Sequence, residues 1–422
     1  MGAVWAVSKL GEMAHKLMNA LVKLLNRAAG SRTPEIAAAN SGTTVANFIG
    51  MAAAFTAGQA GMVFSPFTVG SMAQIYRIND GTAGLFMSLE LAVMALSAIF
   101  ISVRLNRVSI RGLVLFAWVS MIIGYGQPAV FQSLPALGAA RILAGMGTGC
   151  LLAVANGTAA RCDRSATAFS LMAMTYCAVA MVMLILMPRV IDAWGHEAYF
   201  VVLAGLTAVM APFALLIGRR VQPVRGSMAQ NSEGLSGRRF NAIWIFGLLA
   251  FALLFLGLNG LWAYTERIAS AGGLTYEQMS VAYPIGSFFS VLAALFGGWA
   301  ILRLGVTRAL AIGMVIAIAS PFAYLPAGSV AAFALATTMM GFGIVASSVV
   351  LRYVLSEIDP SGRLAAGSGA VEALVSATGP GLFGLILLAG GNFVILIFTA
   401  SAIVLVSYLF SFRPVSFAAR AS

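Results

Sequence analysis

The chain has 422 residues, 60% of them hydrophobic and only 9% charged, with a mean hydropathy of +0.95. Water-soluble proteins carry about 25% charged residues, so an ordinary soluble fold is excluded. The formal charge of +12 is scattered in small groups between apolar runs and forms no continuous basic patch, which argues against a nucleic-acid partner. Cys150, Cys162 and Cys177 show no C-x-x-C spacing and are joined by only two histidines, so neither a disulfide framework nor a metal site is expected.

In chain order, residues 1–40 come first. Lys9, Lys16 and Lys23 recur every seven residues, with Leu10, Met13, Leu17, Leu21, Leu24 and Leu25 at helical spacing. This pattern predicts an amphipathic helix on the cytoplasmic membrane surface, with a partner-binding helix as the alternative. Its apolar residues are too interrupted for a signal peptide, and no acylation signal opens the chain.

Twelve runs follow, each near the roughly 20 apolar residues that cross the hydrocarbon. They lie near 43–70, 81–103, 109–131, 134–156, 167–190, 197–217, 241–265, 279–302, 307–326, 329–352, 365–389 and 392–412. The predicted fold is an all-α membrane protein of two six-helix bundles, 41–218 and 241–413, joined by a polar linker at 219–240 and followed by a tail at 414–422. With both termini cytoplasmic, all but Arg77, Arg141, Arg189 and Arg267 of the 25 Lys and Arg residues fall on the cytoplasmic side.

The second half repeats the first at an offset of 196 residues. Arg107 aligns with Arg303, Gly145 with Gly341, Gly147 with Gly343, Asp163 with Asp359, and Gly61 with Gly257. Parallel six-helix repeats related by an axis along the membrane normal are a transporter plan, with substrate held between the halves near the midplane.

Charges inside the spans are costly and therefore candidate functional groups. Arg141 sits about 10 Å deep and Glu90 about 14 Å deep by helical rise, in the same half, so a Glu90–Arg141 pair is geometrically feasible. Glu90 reads either as a proton-coupling acid or as a structural carboxyl. Arg141 reads as a substrate-anion or coupling group, or as a structural partner. Glu372, near the cytoplasmic end of the eleventh helix, is a second coupling candidate, with a gate or packing contact as the alternative. The adjacent Glu266 and Arg267 read as an outer-surface pair.

The stretch "SVRLNRVSIRG" (102–112) and its later counterpart "GWAILRLGVTR" (298–308) resemble the loop motif of the major facilitator superfamily of secondary transporters. In that family the loop reads G-x-x-x-D-[RK]-x-G-[RK]-[RK]. The resemblance marks Asn106, Arg107, Arg111, Arg303 and Gly305 as gating-loop residues, with the family's latching acid replaced by Asn106 in one copy and Leu302 in the other. "RILAGMGTG" (141–149) resembles the family's fourth-helix signature. The fifth helix lacks the G-P-x-x-G-G pattern of drug antiporters, and a partial echo, "ATGPGLFG" (377–384), stands in the eleventh instead.

The resemblance implies a twelve-helix monomer that works by alternating access and needs no cofactor beyond a proton gradient. Its cavity-lining helices would carry Asn47, Thr56, Gln59, Asn156, Tyr176, Asn259, Trp262 and Tyr264. Of these, Asn47, Gln59, Tyr176, Asn259 and Trp262, with Arg141, are the expected substrate contacts. A cavity so poor in formal charge suits an amphipathic or aromatic solute, anionic if Arg141 faces it, carried across the inner membrane. A drug or metabolite efflux antiporter and a non-transporting receptor or assembly factor of the same fold are the alternatives. An intramembrane enzyme is not expected, because no H-E-x-x-H or G-x-S-x-G pattern is present.

Overall fold

Hydrocarbon offers backbone N–H and C=O groups no partner, so a spanning segment must satisfy them internally, as a helix does. The computed structural model describes residues 45–105, 107–162, 165–217, 242–326, 328–359 and 363–421. The amphipathic segment 1–40, the linker 219–240, Asn106 and Asp163 lie outside the described residues.

Twelve helical stretches succeed one another. The first, α1, is broken into Val45–Gly58, Ala60–Val63 and Ser65–Tyr76. The rest of the first half comprises α2 (Asp80–Arg104), α3 (Ile110–Gly126), α4 (Leu134–Ala159), α5 (Ser165–Trp194) and α6 (His196–Phe213). The second half comprises α7 (Ala242–Trp262), α8 (Tyr276–Leu304), α9 (Val306–Ala319), α10 (Val330–Ile358), α11 (Arg363–Leu388) and α12 (Phe393–Ala421). Among the described residues, eleven helices are long and apolar enough to cross a membrane, and the Val45–Gly58 segment of α1 is a shorter apolar one.

The break in α1 has a local cause. Pro66 has no N–H to donate and its ring crowds the preceding turn, so the helix restarts at Ser65 with Pro66 in its first turn. A short helix, Thr265–Ala271, continues beyond α7 after a turn at Ala263 and Tyr264. At the far end, α12 runs on through Pro414 to Ala421, so the stretch expected as a tail is largely helix.

The halves repeat each other in packing. In the first, α4 lies against α2, α3 and α1; in the second, α10 lies against α8, α9 and α7. Two of the three glycine pairs matched at 196 residues perform the same task. A Cβ at Gly145 would fall on α2 at the Glu90 carbonyl, and one at Gly341 on α8 at Ser290. One at Gly147 would press on Met121 and Ala117 of α3, and one at Gly343 on Ala317 of α9. Small residues at these points let the helices approach closely. Gly61 and Gly257 do not correspond, since the first faces Glu90 and Tyr125 and the second faces α12.

Between the halves, α2 packs along α11, α5 along α8, and the last segment of α1 against the helix Thr265–Ala271. We call the face where α1 begins and α12 ends the terminal face, and the opposite one the distal face. Overpacking a close helix contact costs about 1–3 kcal/mol. Gly147→Leu and Gly343→Leu should therefore each lower the melting temperature of the purified protein. Gly205→Leu, whose Cβ meets nothing within 4 Å, should leave it in place. Equal melting of all three variants would contradict this packing.

Candidate functional site

Among the described residues, the spans hold two carboxylate–arginine pairs, one in each bundle. In the first, Arg141 Nη1 lies 2.9 Å from Glu90 Oε2, with the two side chains 0% and 1% exposed. Tyr125 donates to Glu90 Oε1 at 2.9 Å, and Arg141 Nη2 donates to the Gly124 carbonyl at 2.7 Å. The guanidinium also lies over the rings of Tyr125 and Phe200, 5.5 and 5.2 Å from their centroids. Nε of Arg141 has no hydrogen-bond partner among the described residues. Four helices thus converge on one charge pair: α2 with Glu90, α3 with Tyr125, α4 with Arg141 and α6 with Phe200. Gly61 of α1 closes over it, because a Cβ there would meet Glu90 Oε1 at 2.5 Å. The pair anticipated from depth alone is formed, and it is sealed within its own bundle.

The second pair is open. Arg352 of α10 bonds Glu372 of α11 at 2.5 Å, with side chains 47% and 26% exposed, and the Arg352 guanidinium lies 5.3 Å from the Phe251 ring of α7. Six residues separate Arg352 from the end of α10, which places it about 9 Å inside the helix by the 1.5 Å rise. By charge placement alone Arg352 belongs with the arginines that set orientation. The same depth count that singled out Arg141 marks it too.

The neutral residues divide. Tyr176 and Thr56, with Ala60, Val63, Phe64, Val179, Ala180 and Leu206, line a shallow crevice between α1, α5 and α6. Phe55 meets the Tyr176 ring edge-on at 5.8 Å. Asn259 of α7 donates to Ser376 of α11 at 2.8 Å. Gln59 stands half-buried at the first break of α1, and Asn47 is half-buried near the start of that helix. Trp262 donates its indole N–H to the Val63 carbonyl at 3.1 Å and so joins the two bundles. Tyr264 is buried and donates to the Pro380 carbonyl at 2.7 Å.

Further polar bridges between the bundles lie toward the distal face. Arg267 bonds Asp80 at 2.6 Å, Arg189 donates to Ser280 at 3.4 Å, and Ser88 accepts the Gly381 N–H at 2.5 Å. This corrects the expectation of a Glu266–Arg267 surface pair. Consecutive helical residues point about 100° apart, so Arg267 reaches Asp80 in the opposite bundle while Glu266 turns inward and is 1% exposed.

On the terminal face, Arg107, Arg111 and Arg303 are exposed. Ser109 caps α3 by accepting the Gly112 N–H at 3.3 Å. Gly305 opens α9 at φ 81°, a backbone conformation side chains resist. Asp359, the member of the repeat that is described, is buried and accepts the Leu364 N–H at the start of α11.

Two similarly packed six-helix bundles bridged toward one face follow the plan of a secondary transporter. The chain belongs to the Major Facilitator Superfamily, whose family model matches residues 49–384. Among solved structures it is similar to the peptide transporter POT in complex with sulfate, at 14% identity and a TM-score of 0.68, over 93% of this chain and 99% of that one. It is also similar to a bacterial homolog of the human lysosomal transporter Spinster, in an inward-facing and unoccupied conformation, at 15% identity and a TM-score of 0.64, over 90% and 98% of the two chains. A POT family transporter in complex with 5-aminolevulinic acid gives 17% identity and a TM-score of 0.62, over 88% and 96%. At such identities the likeness is one of fold. No curated protein sequence matches the chain.

Removing one member of a buried pair strands the other charge and costs about 3–5 kcal/mol. Glu90→Leu and Arg141→Met should each lower the melting temperature strongly, and the double variant should recover most of that loss. Simple addition of the two losses in the double variant would show that the pair is not the source of the effect.

Proposed function

We propose that the protein moves a small organic solute carrying an anionic group across the inner membrane, coupled to protons, with its terminal face in the cytoplasm and the described state facing inward. The half-exposed Arg352–Glu372 pair is the observation that carries this reading. The bundle contacts toward the distal face support the inward-facing assignment, and the arginine-rich terminal loops support the orientation.

Glu372 and a substrate anion compete for one guanidinium. Ionised Glu372 occupies Arg352; a proton on Glu372 removes that claim and leaves Arg352 to the solute. Proton and anion therefore bind together and move together, which is symport. Tyr176 and Asn259 border the same interior and supply an aromatic face and an amide for the rest of the solute. Two of the solved structures of this fold hold sulfate and 5-aminolevulinic acid, ligands that carry anionic groups, as this reading requires of the solute here. Glu90 and Arg141 serve in this scheme as the frame of the first bundle.

A panel of organic acids, screened by thermal stabilisation of the purified protein at two pH values, identifies the ligand class. In proteoliposomes, the wild type should accumulate that ligand when the outside is acidic. Glu372→Gln should still exchange ligand across the membrane but lose accumulation and pH dependence, and Arg352→Ala should lose binding by at least tenfold. Accumulation by Glu372→Gln at the wild-type level, together with its loss in Glu90→Gln, would move coupling to the first bundle. Absence of any solute movement would favour a receptor role.

A further inference from the structure

Glu266 is a buried acid that the transport scheme above does not use. It sits on the short helix Thr265–Ala271, beyond the span of α7, and is 1% exposed. Its Oε1 accepts hydrogen bonds from Ser270 and Tyr276, both at 2.9 Å. Its Oε2 has no hydrogen-bond partner among the described residues. That oxygen is aimed across the bundle interface at α1, where a Cβ on Gly70 would fall on it. The carboxyl fits the closed interface only because residue 70 has no side chain.

The surroundings do not neutralise a charge on Oε2. From α2 comes the like charge of Asp80, which is already engaged with Arg267. From α8 come Tyr276 and Tyr283, and from α6 comes His196, whose ring meets Tyr276 edge-on at 5.9 Å and whose Nδ1 lies 3.1 Å from Ser71 Oγ. Arg267, next along the helix, is turned toward Asp80. A buried carboxylate with one oxygen left without a donor is disfavoured against its neutral form.

We propose that Glu266 is a second proton site that latches the distal face: protonated while the bundles are closed there, ionised when they part and water reaches it. Burial raises the carboxyl above its ordinary range, against the downward pulls of Arg267, Ser270 and Tyr276, with Asp80 adding to the rise. The closed state thus binds the proton more tightly than the open one, so acid favours closure and alkali favours opening. In the closed state the group is sealed from both faces. The proton is taken from the distal side on closing and returned there on opening, so it regulates the cycle without adding to the transported charge. That this side is the exterior rests on the orientation proposed above; the latch itself does not.

The test is a pair of spin labels at Gln132→Cys and Ser329→Cys, exposed positions on the distal face of opposite bundles. They are introduced into the full chain after Cys150, Cys162 and Cys177 are replaced by alanine. Distances are measured by pulsed electron resonance between pH 5 and pH 8.5. The parent should show the short distance at pH 5 and a growing longer component toward pH 8.5. Glu266→Gln, a neutral carboxamide of the same shape, should lose the longer component at every pH. Gly70→Ala, which crowds Oε2, should show it already at pH 5. Glu372→Gln should respond as the parent does. A parent insensitive to pH, or a Glu266→Gln variant that keeps the full response, overturns the latch. A response lost in Glu372→Gln and kept in Glu266→Gln also overturns it, while leaving the coupling role of Glu372 intact.

Discussion

A charge in hydrocarbon must be answered by another charge or a hydrogen-bond donor, and this constraint organises the whole interior. Arg141 would be untenable on an isolated helix; here Glu90, the Gly124 carbonyl and two aromatic faces meet it. To bring those groups within bonding distance, α2, α3, α4 and α6 must converge on one point, and the glycines along α4 make that convergence possible. Fold and ion pair are therefore one requirement stated twice. The second bundle obeys the same rule more loosely, with Arg352 and Glu372 satisfying each other while remaining half-exposed.

Much of this arrangement is written in the sequence because hydropathy and charge act locally. All twelve spans are legible as apolar runs, and the repeat as two pairs of glycines 196 residues apart that prove to occupy equivalent helix contacts. The Glu90–Arg141 pair is also foreshadowed, since depth along a helix follows from residue counting. Direction around a helix is harder. Glu266 and Arg267 are adjacent in the chain, and nothing local says that one enters the interface while the other crosses to Asp80. Nor does position alone distinguish an arginine that sets orientation, such as Arg107, from one that enters the interior, such as Arg352. The partners that decide these cases come from helices far away in sequence.

Broken helices supply the remaining flexibility. The interruptions of α1 and the turn after α7 lie where the bundles meet, and the Trp262 indole N–H bonds the Val63 carbonyl beside one of them. Irregular backbone at membrane depth is tolerated where protein covers it, and here the break before Ser65 and the turn after α7 are covered by the opposite bundle. A contact made this way depends on closure, so the breaks are natural points for the bundles to separate.

Under the proposed scheme, the contrast between a sealed pair and an open one gives the molecule a stator and a working half. Substitutions at 90 or 141 undermine the frame itself, and few sequences would survive them. Substitutions at 352, 372 and the residues beside them alter chemistry at a surface already half-wetted, leaving the frame standing. Diversification toward new solutes is therefore expected to run through the second bundle, with the first held nearly constant as the part against which it moves.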